Sequence, residues 1–298
     1  SFLLLPRPGE VAEEALRLPW GAGPEGGGAV GLVAARRAAE APDRVISSAK
    51  SWLCHPEVDR TARILPWASG EVASDAERRS PVEVSAAYLS HLREAWNAAM
   101  AARDPTARLE HQDLVLTVPA SFDAVARELT LRAAAAAGLP RVQLLEEPQA
   151  AVYAWVHAAG DSWRDQVSVG DLILVCDVGG GTTDLSLVRV EEEIGELSLR
   201  RVAVGDHILL GGDNLDLALA FRVRDQLAKD AHRLDGWQFR GLVLACREAK
   251  EQLFSESPPE SVPIVVLGRG RKLIGGTIRT DLRREDALRI VLEGFFPA

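Results

Sequence analysis

The chain has 298 residues, 47% of them hydrophobic and 26% charged, a balance that fits a folded globular protein and excludes a disordered one. Its 34 Lys and Arg stand against 43 Asp and Glu, a net charge of −9. That excludes a general DNA-coating role, which needs a dense basic footprint, but leaves nucleotides open, since their sites use backbone amides and one or two lysines. At roughly 100–200 residues per domain, the length suggests two domains. Cys54, Cys176 and Cys246 are odd in number and far apart, so no disulfide framework is implied and a reducing, cytoplasmic setting is expected. Cys54 and His55 are adjacent, but no second pair stands at zinc spacing. No apolar run reaches the ~20 residues of a membrane helix.

In chain order, the apolar start at residues 1–5 reads as a strand cut into by a fragment boundary. Residues 9–31 are rich in Gly and Pro and read as loop or hairpin. A helix is expected over 32–40, and a second apolar stretch near 45–53. Ser80-Pro81-Val82-Glu83 is a capping-box pattern with Pro at the first helical position. Leu89, Leu92, Trp96 and Met100 then recur at helical spacing, which predicts one buried face. Leu114–Val118 is a continuous apolar run closed by Pro119, the pattern of a buried strand. A helix over 123–137 stops at Gly138 and Pro140. Val142–Leu145 is a second strand, and Pro148 opens a helix to about 159. Strand, helix, strand, helix implies a parallel or mixed sheet under helical cover. After a polar break at 160–170, runs at 172–176, 185–190 and 197–204 are joined by short turns, which predicts an antiparallel meander. Helices at 213–229 and 238–254, the second burying Leu242, Ala245, Ala249 and Leu253, precede strands at 262–267 and 272–280 and a helix from Asp281.

The sharpest chemical feature is Asp177-Val178-Gly179-Gly180-Gly181-Thr182-Thr183-Asp184. A Gly-Gly-Gly turn between two strands lets backbone N–H groups approach an anion with no Cβ in the way. Thr182 adds a hydroxyl donor. Asp177 and Asp184 are candidate Mg²⁺ ligands, because that ion takes few carboxylates and completes its shell with waters and phosphate oxygens. No Walker-type Gly-x-x-x-x-Gly-Lys-Ser/Thr is present, and no Gly-x-Gly-x-x-Gly follows a first strand.

The hairpin resembles the second phosphate-binding hairpin of the actin-like ATPase superfamily. Four further stretches narrow the resemblance to the heat-shock protein 70 (DnaK-type) chaperone family. Leu116-Thr117-Val118-Pro119-Ala120-Ser121-Phe122 is similar to its Val-Pro-Ala-x-Phe signature, and Glu147-Pro148-Gln149-Ala150-Ala151 to its Glu-Pro-Thr-Ala-Ala motif. Gly205-Asp206 with Leu210-Gly211-Gly212-Asp213-Asn214-Leu215-Asp216 is similar to its Gly-Asp…Leu-Gly-Gly-Glu-Asp-Phe-Asp run. Ala245-Cys246-Arg247-Glu248-Ala249-Lys250 is similar to its adenosine-side helix. Ser48-Ala49-Lys50 also resembles the family's Asp-Ala-Lys.

The resemblance implies a bilobed α/β fold of the actin-like (ribonuclease H-like) type, with mixed sheets and helices. Lobe I would be 1–165, with a peripheral subdomain at 9–104 and a core part at 105–165. Lobe II would be 166–298, with the phosphate-hairpin core part at 166–209, a peripheral subdomain at 210–285 and a partial return to the core at 286–298. ATP or ADP, with Mg²⁺ and a further K⁺, would lie between the lobes. Lys50, Glu147, Asp177 and Thr182 would be catalytic: Lys50 on the phosphates, Glu147 orienting the lytic water. Gly179, Gly180, Gly181, Thr182, Gly211, Gly212, Asp213 and Lys250 would hold the nucleotide. Pro119 and Arg127 would relay its state to a partner module. Glu146 is expected to be a plain surface charge.

The family often has Glu at the position of Arg247 and Ser at that of Phe254, so an altered adenine pocket is expected. Its first phosphate loop, Asp-Leu-Gly-Thr-Thr, and its late Gly-Gly-Ser/Thr-x-Arg run have no counterpart in the 298 residues. The fold is therefore expected to be incomplete at both ends, and this chain alone weak or inactive in turnover. Implied partners are unfolded client peptides through a further module, a J-domain co-chaperone and a nucleotide-exchange factor, with neither nucleic acid nor membrane. The alternatives are a catalytically impaired nucleotide-binding or regulatory module of the same fold, and another actin-like member such as a sugar kinase.

Overall fold

The computed structural model describes residues 1–7, 9–21, 28–38, 40–55, 57–67, 78–205, 208, 210–229, 231–268 and 277–295. Asp206 and the stretches 22–27 and 272–276, on which parts of the sequence reading fall, lie outside these. The chain forms two compact units, each assembled from segments distant in sequence.

One unit comprises Ser1–Ser48, Arg63–Ser80 and Gly212–Ala298. Its β1 (Phe2–Leu4) runs antiparallel between β2 (Ala29–Val30) and β3 (Val45–Ser47). The short helix α1 (Glu13–Leu16) precedes β2, and α2 (Leu32–Arg37) follows it. Leu4, Ala29, Ala34, Ala38 and Val45 close a small core. A larger core forms where α7 (Gly212–Lys229) meets α8 (Gly236–Leu253). Leu219, Val223 and Leu227 recur every fourth residue of α7, so they share a face. They meet Leu242, Cys246, Ala249 and Leu253 of α8; of the expected face only Ala245 is merely half-buried. Asp235 starts α8 with a reciprocal capping box to Gln238, which satisfies two otherwise orphaned backbone donors.

The strand β9 (Ser261–Val266) alternates exposed and buried residues and pairs antiparallel with β10 (Ile278–Arg283). The last helix, α9, runs Arg284–Gly294. The strand thus continues past the expected helix start at Asp281. Leu282 pairs with Val262 and is buried, so the ladder holds the backbone extended to Arg283.

The other unit comprises Ala49–Ala62 and Pro81–Gly211. It contains α3 (Ala49–Cys54), α4 (Pro81–Met100), β4 (Leu114–Val118), α5 (Ala124–Ala136), β5 (Val142–Glu146) and α6 (Glu147–Ala159). The pair β4 and β5 is parallel, as expected. Asp123 caps α5 by accepting the Ala126 N–H at 2.7 Å, and Gly138, at φ 80°, terminates it in the left-handed region open to glycine.

Two burial expectations differ from the structure. Within β4 only Val118 is buried, and Val115 is 59% exposed, because the core of Leu53, Val118, Phe122, Ala126 and Leu129 covers one face and one end of the strand. On α4, Leu92, Trp96 and Met100 are exposed, while Pro81 and Val84 are buried. The Trp96 indole N–H donates to the Ala107 carbonyl at 2.8 Å, which holds the ring at the surface. Periodicity tells which residues share a face; it does not tell whether anything covers that face.

The meander is as expected: β6 (Leu172–Val178), β7 (Thr183–Glu193) and β8 (Glu196–Val204) are consecutive and antiparallel, with a register shift at Leu187/Val188. Asp184, Ser186, Val188 and Val190 form its buried face. Among the described residues no helix is long and apolar enough to cross a membrane.

Candidate functional site

The Gly-rich hairpin joins β6 to β7. Its turn is closed by the Gly179 N–H donating to the Thr182 carbonyl at 2.8 Å, so Gly180, Gly181 and Thr182 form the tip whose N–H groups can face an anion. Asp177 and Asp184 are direct register partners, which puts their carboxylates on one face of the sheet, with Cβ atoms about 5 Å apart. Asp184 is buried and Asp177 half-buried. The base of the hairpin is braced by backbone at Ile208 and Leu210: the Thr183 N–H donates to the Ile208 carbonyl at 2.9 Å, and its hydroxyl to the Leu210 carbonyl at 2.7 Å. Gly211 lies flat against the turn. A Cβ there would stand 2.6 Å from the Gly179 oxygen and 2.7 Å from the Gly180 oxygen, so only glycine fits without moving backbone.

The β5–α6 junction carries a second set of charges. Lys50, on α3, is ion-paired with Glu147, the first residue of α6. The neighbouring Glu146 is no plain surface charge. Its side chain is 15% exposed; it accepts from Nη2 of Arg127 at 2.9 Å and is ion-paired with Arg201 of β8. Pro119 and Arg127 meet through one residue: the Phe122 N–H donates to the Pro119 carbonyl at 3.1 Å, and Nε of Arg127 donates to the Phe122 carbonyl at 3.1 Å. Arg60 makes two 2.9 Å bonds to Asp123, and that contact first, with the backbone cap, holds the Asp123 carboxyl below its ordinary range.

In the other unit, Gly212 begins α7 and Asp213 lies in its first turn. Asp213 is hydrogen-bonded by the Ser48 hydroxyl and faces Nη1 of Arg247 at 3.3 Å. Arg247 stacks over the Phe2 ring at 5.1 Å. Lys250 is also engaged: Nζ lies 2.5 Å from Asp216 and donates to the Gly212 carbonyl at 3.0 Å. Asp216 is 3% exposed, and burial raises its carboxyl above the ordinary value despite Lys250 beside it. Burial likewise pushes the Cys246 thiol up to about 12, so this cysteine is a small core residue and no nucleophile.

The structure thus joins Lys50 to Glu147, Asp177 to Asp184, Gly211 to the hairpin glycines and Pro119 to Arg127. Sequence reading missed Glu146, Arg201 and Asp216 as engaged residues. Asp216 stood inside a quoted motif; Arg201 had no signal, being one of two adjacent arginines in a largely exposed strand.

The residues suit a hydrated Mg²⁺ bound with phosphate. Asp177 and Asp184 offer two carboxylates side by side beside a glycine tip, and among the described residues no group of three or more His, Cys, Asp or Glu side chains could hold a metal ion. Mg²⁺ usually keeps several waters and takes one or two carboxylates plus phosphate oxygens.

Comparison with known proteins gives a consistent result. The family model described as Hsp70 protein matches residues 24–284. The chaperone protein HscA of Enterobacter sp. (strain 638) is 37% identical over 253 residues, covering 81% of this chain and 37% of that protein. The HscA homologue of Acinetobacter baylyi is 36% identical over 176 residues, 59% of this chain and 26% of that protein. The homologue of Burkholderia multivorans is 37% identical over 195 residues, 65% and 28% respectively. The chain spans well under half the length of these curated relatives.

Proposed function

The chain belongs to the Hsp70 family and has its actin-like ATPase fold, and on that premise we propose that it is the nucleotide-binding part of a chaperone which, as a complete protein, binds Mg·ATP and hydrolyses it slowly. The observation that carries this reading is the pairing of Lys50 with Glu147. Two charges that a phosphoryl transfer to water requires come from segments 97 residues apart, and each finds the other.

In this reading the tip N–H groups of Gly180, Gly181 and Thr182 and the Thr182 hydroxyl hold phosphate oxygens. The Lys50 ammonium offsets charge on the transferring phosphoryl group. The Glu147 carboxylate accepts a hydrogen bond from the attacking water and aims it. Asp177 and Asp184 would hold Mg²⁺ through its waters; the ion supplies charge neutralisation at the phosphates. Gly212 and Asp213 would meet ribose hydroxyls at a helix N-terminus, with Lys250 fixing that terminus. Hydrolysis would switch the closure of the fold on the nucleotide, and Pro119 and Arg127 would pass that state to a peptide-binding module. Client peptides, a J-domain co-chaperone and an exchange factor are the partners this role needs, and the scattered cysteines suit a cytoplasmic setting.

A second reading is a nucleotide-binding module of the same fold with impaired turnover. The Arg247–Asp213 contact favours it, because the guanidinium engages the carboxylate meant for ribose.

Single-turnover hydrolysis of Mg·ATP decides between them. Slow turnover by the complete protein, abolished by Lys50→Ala and by Asp177→Asn with the fold intact, supports the ATPase. Mg·ADP binding without turnover supports the second reading. Equal rates in the native protein and both variants overturn the assigned roles.

A further inference from the structure

The Glu146 carboxylate ties together three elements. Arg127 reaches it from α5, Arg201 from β8, and Glu146 itself ends β5 and immediately precedes α6. Both arginines are about one-third exposed, at 31% and 33%, while Glu146 is 15% exposed. An arrangement of two cations on one largely buried carboxylate differs from a surface ion pair, because removing the carboxylate leaves like charges facing each other.

The next residue along the chain is Glu147, whose carboxylate pairs with Lys50. One peptide unit joins the two residues, so the backbone that Glu146 fixes is the backbone from which Glu147 points. Arg201 stands on β8 opposite Val188 of β7, at the register shift of the meander that carries the phosphate hairpin. Arg127 is bonded to the Phe122 carbonyl, and Phe122 to Pro119. The Glu146 clamp therefore connects the strand next to the hairpin strand, the base of Glu147 and the Pro119–Arg127 pair through direct contacts.

We infer that Glu146 is a positioning residue: clamped by Arg127 and Arg201, it holds the β5–α6 junction so that Glu147 is aimed at the attacking water. This rests on the ATPase reading above. Glu146 touches no reacting atom in this role. Its removal should lower the rate of hydrolysis and leave nucleotide affinity in place. Misplacing a catalytic group by about 1 Å can cost roughly a hundredfold in rate, so a loss of roughly ten- to a hundredfold is expected.

The test measures Mg·ADP affinity by calorimetry and single-turnover Mg·ATP hydrolysis in the full chain, for the native protein, Glu146→Gln, Arg201→Met and Arg201→Lys. The expected result is an unchanged Kd throughout, a slowed step in Glu146→Gln and Arg201→Met, and recovery of most of the rate in Arg201→Lys, which keeps the charge. Native-like rates in Glu146→Gln and Arg201→Met overturn the inference while the ATPase reading stands. So does a parallel loss of affinity and rate, which would mark Glu146 as a structural tie only. A native chain that binds no Mg·ADP overturns the ATPase reading, and the inference falls with it.

Discussion

The Lys50 ammonium and the Glu147 carboxylate are ion-paired at the N-terminus of α6, with the Lys50 side chain 53% exposed and that of Glu147 19% exposed. The pair is thus open on the lysine side. On the proposed ATPase reading, an arriving phosphate would compete with Glu147 for Lys50, and a carboxylate released from its counter-ion would be the better acceptor for a water proton. In that reading one pair would serve two steps, holding both charges until phosphate separates them.

Glu147→Gln should keep Mg·ADP affinity or tighten it slightly, because the amide competes less well for Lys50. Hydrolysis should fall by roughly a hundred- to ten-thousandfold, the usual contribution of a positioned general base. Calorimetry and single-turnover kinetics on the same preparation read both. A native-like rate would remove Glu147 from the chemistry.

Gly211→Ala should disturb the phosphate hairpin from behind. The new Cβ would meet two backbone oxygens at 2.6 and 2.7 Å, and backbone, unlike the end of a flexible side chain, cannot step aside cheaply. Overpacking of this kind costs about 1–3 kcal/mol. A lowered unfolding midpoint together with weakened Mg·ADP binding is expected; intact binding would show that the tip tolerates displacement of its base.

How far the sequence disclosed this molecule depends on the kind of signal. Glycines and prolines that interrupt apolar runs marked the meander, the α5 stop at Gly138 and the α6 start, because those breaks follow from local backbone sterics. The Gly-rich hairpin between β6 and β7 was legible for the same reason. Burial was less so: Leu92, Trp96 and Met100 keep helical spacing on a face that the described structure leaves exposed, and spacing carries no information on what lies opposite. Glu146 and Arg201 were illegible, since their pairing depends on where β8 runs beside the β5–α6 junction, a consequence of tertiary arrangement alone. Lys250 was read as a ligand of the nucleotide, and its pairing with Asp216 was hidden because both lie on helices whose mutual face only the fold defines.

Arg247→Ala should remove one partner of Asp213 and leave the Ser48 hydroxyl on it. The guanidinium is partly exposed and lies 3.3 Å from the carboxylate, and such pairs are worth at most about 1 kcal/mol. If Arg247 competes with ribose, Mg·ADP affinity should rise by up to about fivefold with little change in stability. Weaker binding would instead make Arg247 a nucleotide contact in its own right.

Lys250→Met separates a nucleotide ligand from a structural tie. Asp216 is almost fully buried, with Lys250 at 2.5 Å as its counter-ion. Removing one partner of a buried pair typically costs about 3–5 kcal/mol, because the remaining charge is left unpaired. The carboxyl of Asp216 already lies above its ordinary value of 3.8, chiefly through burial. The folded state therefore binds this proton more readily than the unfolded chain, and the contribution to stability is full below the ordinary value and is lost as pH rises through the raised one. Without Lys250, which lowers it, the folded value rises further and the penalty at neutral pH grows. The variant should unfold more easily than the native protein near neutrality, and the deficit should narrow as pH falls through the carboxylate range and Asp216 takes up its proton. Chemical unfolding of both proteins across that range measures it. A deficit that does not change with pH would assign the loss to the hydrogen bond that Nζ makes to the Gly212 carbonyl, and a loss of Mg·ADP affinity with native stability would return Lys250 to the nucleotide.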